Sequence, residues 1–97
     1  MDKDEILLYL RENKEFFLKK YGVTNIGLFG SYVKGIEHLD SDIDIAIQMK
    51  KEKKTLKYFF GFKRELEKRF GKKVDLGIED SLKPIVKKSI EKEIEYA

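Results

Sequence analysis

The chain has 97 residues, of which 40% are charged and 41% hydrophobic, with a formal net charge of +3 and no cysteine. This length is typical of one domain with a single modest core, and the lack of cysteine excludes disulfides, thiolate nucleophiles and cysteine-ligated zinc. No apolar run approaches the ~18 residues that a membrane-spanning helix needs, and the acidic start over residues 1–5 is unlike a secretory leader, so we expect a soluble, cytoplasmic protein with one domain over residues 1–97.

The first half of the chain predicts a helix, a strand and a short turn. Apolar residues at helical spacing predict a helix over residues 4–20, which Gly22 should end. A β-prone run over residues 24–29 follows. It stops where a brief helical turn or loop over residues 31–35 begins, and an irregular stretch comes next.

The second half of the chain gives stronger signals. Isoleucine alternates with polar residues over 42–49, which predicts a strand, and a second alternating run predicts another strand over 73–78. Between them a helix is expected over residues 55–70, and after them a final helix whose apolar stripe runs from Leu82 to Ile94. The core-facing residues expected on the helix over 55–70 are Leu56, Phe59, Phe60, Leu66 and Phe70. The order α-β-(α)-β-α-β-α predicts an α/β fold, a small mixed sheet covered by helices.

Three aspartates fall on two of the predicted strands. Asp42 and Asp44 project from the same face of one strand, about 7 Å apart at Cβ, and Asp75 occupies the corresponding polar position in the next strand. If these strands pair, the carboxylates converge and their repulsion favours a hard divalent cation. Such acids could instead solubilise an open sheet face, although Asp is disfavoured inside strands. Three acids on two strands suit one or two Mg²⁺ ions, as in displacement at phosphorus.

A glycine-containing turn precedes the acidic strand. Gly30 and Ser31 stand where the first strand should end and a helical turn should begin, and Gly35 follows. Backbone N–H groups in such a turn can bind an anion, and glycine lets a phosphate approach closely. A Gly-Ser pair alone is typical of an ordinary turn. Next to an acidic strand, it predicts a site for a nucleoside triphosphate.

These residues carry a resemblance to a known family. The sequence Gly-Ser-Tyr-Val-Lys-Gly at residues 30–35 is followed, after five residues, by Ser-Asp-Ile-Asp at residues 41–44. This pattern resembles the G-S-x-x-x-G…S-D-x-D signature of the polymerase-beta-like nucleotidyltransferases. With its small size, the chain is most similar to their minimal form, the MNT proteins paired with HEPN toxins. The resemblance covers nearly the whole chain and implies the nucleotidyltransferase fold, Mg²⁺ in a two-metal site, and ATP as the nucleotide donor.

The resemblance also implies a role for each residue of the motif. Asp42 and Asp44 would bind both metals and, with Asp75, form the catalytic set. Asp75 would be a third metal ligand or the general base that activates the acceptor hydroxyl, and the sequence leaves both roles open. Gly30 and Ser31 would hold the β- and γ-phosphates. The remaining nucleotide-binding candidates are Lys34, the nearest cation, and Ser41.

The activity implied by the resemblance is transfer of AMP to a tyrosine of a HEPN ribonuclease toxin, with this chain as the antitoxin in a hetero-oligomer with the toxin. The small size favours an acceptor on another protein, because we expect no further domain in this chain that could hold a second substrate. Two alternatives stay open. One is an antitoxin without catalysis that occludes the toxin through one of the last two helices. The other, less favoured, is a nucleic-acid binder that uses residues 50–73, a stretch with eleven basic and only three acidic side chains. No membrane partner is expected.

Overall fold

The computed structural model describes residues 1–97 as a four-stranded mixed sheet with five helices and two 3-10 turns. The helices are α1 (Lys3–Glu12), α2 (Lys14–Tyr21), α3 (Ser31–Lys34), α4 (Leu56–Phe70) and α5 (Pro84–Glu91). The strands are β1 (Val23–Phe29), β2 (Ile43–Met49), β3 (Val74–Ile78) and β4 (Glu95–Tyr96). The 3-10 turns are Lys51–Lys53 and Glu79–Ser81. The predicted α/β class with a small mixed sheet is confirmed.

The sheet has the strand order β3-β2-β1-β4. β1 is antiparallel to both β2 and β4, whereas β2 and β3 are parallel. A parallel pair needs a crossover connection, and α4 supplies it. The register places Phe29 of β1, Asp44 of β2 and Asp75 of β3 side by side across the sheet. We call the two aspartates of this row, Asp44 and Asp75, the acid row.

One face of the sheet carries the hydrophobic core. Ile43, Ile45 and Ile47 of β2 are fully buried in one cluster with side chains of α1, α2 and α4. Phe17 of α2 and Phe62 of α4 meet edge to face, with ring centroids 4.9 Å apart. The alternation of β2 therefore buries every second residue and turns the residues between them to the opposite face.

The opposite face is shaped by small residues. One row across β1, β2 and β3 consists of Gly27, Ala46 and Gly77. A Cβ at Gly27 would overlap the side chain of Ile94, so the missing side chain lets the C-terminal segment lie directly on the sheet. The Tyr96 hydroxyl donates a 2.6 Å hydrogen bond to Glu79, the one buried charged residue. The C-terminal segment is thereby fixed beside the acid row.

The helix predicted over residues 4–20 is two helices. Asn13 ends α1 and precedes α2, with φ −111° and ψ 10°, and its side-chain amide donates a 2.9 Å hydrogen bond to the Tyr9 carbonyl. Asparagine interrupts helices because its short amide competes for backbone groups. Gly22 ends α2 in the left-handed conformation, as predicted.

Two predictions for the later helices are wrong. α5 spans only Pro84–Glu91, so Leu82 lies before the helix and Ile94 after it, just ahead of β4. On α4, Leu56 and Phe60 are exposed, at 73% and 44%. The side of this helix that packs against the sheet is formed instead by residues farther along it, which include the fully buried Phe62. No helix combines the length and the apolarity that crossing a membrane requires.

Candidate active site

The acid row and Asp42 form the chemical centre of the site. Asp44 and Asp75 are paired in register across β2 and β3, and Asp42 directly precedes β2. Asp75 is exposed, whereas Asp42 and Asp44 are partly buried. The structure therefore places the three predicted acids in one neighbourhood, on the sheet face opposite the core.

The pKa of Asp44 is raised to about 6. Burial is the largest cause, because a partly desolvated carboxyl group is disfavoured in its charged form. The negative charges of Asp75 and Asp42, a hydrogen bond with Asp75 and the charge of Glu93 raise it further. The cluster thus carries more negative charge than the protein itself compensates.

The donor set fits Mg²⁺ in its chemistry. Carboxylate oxygens are the ligands that hard divalent cations prefer, and a cation beside Asp44 would relieve the repulsion that raises its pKa. As the side chains are placed, no three His, Cys, Asp or Glu residues stand closely enough together to hold one metal ion. Binding by Asp42, Asp44 and Asp75 would therefore require at least one carboxylate to reorient.

Gly30 joins the turn to the acid row. Its backbone has φ 80° and ψ −150°, a combination that residues with a Cβ rarely adopt. A Cβ at this position would also overlap the Asp44 carboxylate. Ser31 begins α3, and Gly35 ends it with φ 72°. Glycine is needed at position 30 both for the turn and for the close approach of Asp44.

The donors of this turn are engaged by a residue that the sequence did not indicate. Oε1 of Glu93 accepts a 3.1 Å hydrogen bond from the Gly30 N–H, and Oε2 lies 3.2 Å from Nζ of Lys34. Glu93 stands in the turn between α5 and β4. Several acids lie in this charged C-terminal stretch, so the sequence has no signal that separates Glu93 from its neighbours.

Ser41 has a different setting from the other predicted residues. Its hydroxyl accepts a 3.0 Å hydrogen bond from the His38 N–H, within the loop between α3 and β2. The Ser41 N–H in turn donates to the His38 carbonyl at 2.9 Å. In the structure, Ser41 closes the loop that delivers Asp42 to the start of β2.

A cavity of about 430 Å³ opens beside Asp44. Its polar lining includes Gly30, Asp44 and Glu93, and its apolar wall includes Ile85 and Val86 of α5. Ile85 is 80% exposed, so the apolar wall continues to the surface. This cavity joins the turn, the acid row and α5 in one pocket.

The largest cavity lies elsewhere. It measures about 650 Å³ and is lined by Tyr9 and Tyr21 together with Arg64, Lys68 and Arg69 of the basic α4 face. None of the predicted site residues lines it. Size alone would select this cleft, but it lacks the convergent carboxylates that distinguish the smaller cavity, so we take the acid row as the candidate active site.

Fold and site together define a nucleotidyltransferase. The model of the nucleotidyltransferase domain family matches residues 10–97, and the chain belongs to this family. Protein adenylyltransferase MntA of Thermococcus cleftensis is 37% identical over 93 residues, which are 96% of this chain and 93% of that protein. The solved structure of a candidate minimal nucleotidyltransferase has a TM-score of 0.75 at 28% identity, and the match covers 98% of this chain and 95% of that one. A toxin–antitoxin crystal structure with AMP-PNP has a TM-score of 0.70 at 23% identity, over 88% of this chain and 69% of that one, and shows likeness of fold.

Proposed function

We propose that this chain transfers AMP from ATP to a tyrosine hydroxyl of a HEPN ribonuclease toxin and thereby acts as its antitoxin. The observation that carries the proposal is the acid row, with Asp44 and Asp75 paired in register and Asp44 directly against the Gly30 turn. The similarity to a protein adenylyltransferase supports a protein as the acceptor. The fold likeness to a toxin–antitoxin structure with an ATP analogue supports both the partner and the donor.

Asp42, Asp44 and Asp75 would hold Mg²⁺ in this proposal. Bound Mg²⁺ would neutralise phosphate oxygens and lower the barrier to attack on a negatively charged centre. The protein contributes the placement. β2 and β3 hold two carboxylates side by side, and the loop closed by Ser41 brings Asp42 next to them.

The turn would bind the part of ATP that leaves as pyrophosphate. The Gly30 N–H and the Lys34 ammonium group can donate to β- and γ-phosphate oxygens, and Ser31 adds a hydroxyl at the start of α3. With the terminal phosphates there, the α-phosphorus faces the acid row, because Gly30 adjoins Asp44. The close contact between Gly30 and Asp44, which requires glycine at position 30, would thus also orient the nucleotide.

Asp75 is suited to the acceptor side of the reaction. It is exposed, so the hydroxyl of a protein acceptor can approach it. Asp75 would take the proton of that hydroxyl while the oxygen bonds to the α-phosphorus. The bond between the α-phosphorus and its bridging oxygen then breaks, and pyrophosphate leaves. The products are an AMP–tyrosine ester and pyrophosphate, which balances the transfer.

A labelling experiment tests this function. The chain is incubated with Mg²⁺, lysate of its source cell, and ATP labelled at either the α- or the γ-phosphate. We expect one protein band that carries α-label but no γ-label, and that is absent with Asp42→Asn. Asp40→Asn is the matched control, because Asp40 is an exposed acid in the preceding loop. Label in RNA or in a small molecule would contradict the protein acceptor, and absence of any transfer would contradict the enzyme.

Occlusion of the toxin is a second candidate, favoured by the exposed apolar surface of α5. Ile85 and Val86 are 80% and 42% exposed beside the cavity, and such a surface is typical of a protein contact. Occlusion alone predicts that a chain carrying both Asp42→Asn and Asp44→Asn still protects cells from the toxin. Loss of protection in this double variant, with the complex intact, would assign protection to catalysis.

A further inference from the structure

Glu93 binds the two donors that the proposed function assigns to the triphosphate. Its carboxylate accepts from the Gly30 N–H at 3.1 Å through one oxygen and pairs with Lys34 Nζ at 3.2 Å through the other. These are the two polar contacts of the Glu93 side chain. A carboxylate and a phosphate present the same features to such donors, namely negative charge and paired acceptor oxygens.

The two anions cannot both have the Gly30 donor. A backbone amide has one hydrogen, so a phosphate oxygen gains the full Gly30 bond only when Glu93 releases it. Lys34 has three N–H donors and could be shared, but each extra anion beside it increases repulsion. Glu93 also lines the cavity that contains Asp44, so its charge adds to an already acidic pocket.

The backbone around Glu93 is fixed, whereas its side chain can leave. The Glu93 and Ile94 N–H groups both donate to the Ile90 carbonyl, at 3.0 and 2.9 Å. Ile94 packs on Gly27, and the pairing of β4 with β1 begins at the next residue, Glu95. The Glu93 side chain itself is 23% exposed. Rotation into solvent would therefore free the donors without unfolding the segment.

We propose that Glu93 is a positioning residue that competes with the nucleotide triphosphate for the Gly30 N–H and Lys34. It holds both donors in the site and is displaced when the phosphates bind. This inference rests on the proposed function, because it takes the Gly30 turn as the triphosphate site. It predicts that removing the charge of Glu93 tightens binding of phosphate-bearing ligands, the opposite of what a purely structural role predicts.

Calorimetric titration of the whole chain with Glu93→Gln tests the competition, with Glu91→Gln as the matched control because Glu91 is an exposed acid on the same segment. ATP, inorganic tripolyphosphate and adenosine are titrated in the presence of Mg²⁺. For Glu93→Gln we expect the Kd of ATP and of tripolyphosphate to fall about 3- to 10-fold, the scale of a partly exposed charge interaction. The Kd of adenosine should not change, and Glu91→Gln should behave as wild type.

The dependence on Lys34 gives a second readout. In a Lys34→Met background, Glu93→Gln should improve ATP binding by a smaller factor, since one of the two contested donors is gone. If Glu93→Gln lowers the melting temperature too far for titration, Glu93→Asp shortens the carboxylate and should also tighten ATP binding. Unchanged or weaker ATP binding by folded Glu93 variants would overturn the competition while leaving the proposed function intact. Failure of wild type to bind ATP would overturn both.

Discussion

Two carboxylates of the candidate active site have opposite surroundings. Asp44 lies among other acids, and its pKa is raised to about 6. Glu93 lies against an N–H group and an ammonium group, which offset part of its charge. The first setting favours binding of a cation, and the second presents donors that suit an anion. ATP with Mg²⁺ carries both charges, so one ligand can satisfy the acid row and the turn together.

The substitution with the largest expected effect is Asp44→Asn, which tests the catalytic role of the acid row. The amide keeps the shape but loses the charge that the reaction requires, and we expect transfer of α-label to fall by about 10³-fold, or about 4 kcal/mol of transition-state stabilisation. Initial rates at saturating ATP measure the effect. Asp40→Asn should retain wild-type rates, and an Asp44→Asn rate within tenfold of wild type would remove Asp44 from the catalytic set.

Gly30→Ala disturbs the contact between the turn, which binds Glu93, and Asp44 of the acid row. The added Cβ overlaps the Asp44 carboxylate and the backbone is strained, so we expect a loss of about 2–3 kcal/mol in the free energy of unfolding and about 100-fold in transfer rate. Urea denaturation and labelling rates measure the two effects. Gly35→Ala is the control, since it shares a positive φ but has no atom within 4 Å of the added Cβ. It should lose about 1 kcal/mol, and equal losses in both variants would contradict a special role of Gly30.

The repulsion at Asp44 should appear as a pH dependence of stability. The folded pKa of about 6 exceeds the unfolded value of 3.8, so ionisation of Asp44 lowers stability as the pH rises through this window. In the absence of divalent cations, Asp44→Asn should be more stable than wild type at pH 7.5 by about 1.5 kcal/mol, after allowance for solvent screening. The advantage should vanish near pH 4 and shrink when Mg²⁺ is added. A constant difference across this range, measured by urea denaturation, would contradict the repulsion.

The smallest expected effect concerns the anchoring of the segment that carries Glu93. Tyr96→Phe removes the hydrogen bond to buried Glu79 and should reduce the free energy of unfolding by about 1 kcal/mol without changing the transfer rate. That hydrogen bond also raises the pKa of Tyr96 to about 12, so wild type should lose stability as the pH rises from about 10 to 12. Denaturation at pH 8 and pH 11 compares the two proteins. A smaller deficit of the variant is expected at pH 11, because a phenylalanine side chain has no proton to lose.

The acid row was predictable because its information is local. The alternation of β2 fixes which residues share a face with Asp44, and the alternation of β3 does the same for Asp75. Pairing of the two strands then brings the acids together without any further detail of the fold. Gly30 was predictable for a similar reason, since a glycine that ends a strand just before an acidic strand is a sequence signal.

The surroundings of Glu93 were not predictable, because they depend on packing between distant segments. Two residues of β4 are too few to show an alternation, and their pairing depends on the missing side chain of Gly27. The wrong assignment of Leu56 and Phe60 has a related cause. Both have apolar side chains at helical spacing, and only the docking angle of α4 decides which stripe meets the sheet.

The parallel pairing of β2 and β3 has a consequence for the order of folding. All of α4 lies between Asp44 and Asp75 in the chain, so the hairpin of β1 and β2 can form while Asp75 is still distant. The repulsion between Asp44 and Asp75 arises only when α4 docks and β3 adds to the sheet edge, whereas Asp42 and Asp44 are already neighbours in the chain. The pairing of Asp44 with Asp75 therefore depends on the same crossover that closes the core on one face of the sheet and concentrates charge on the other.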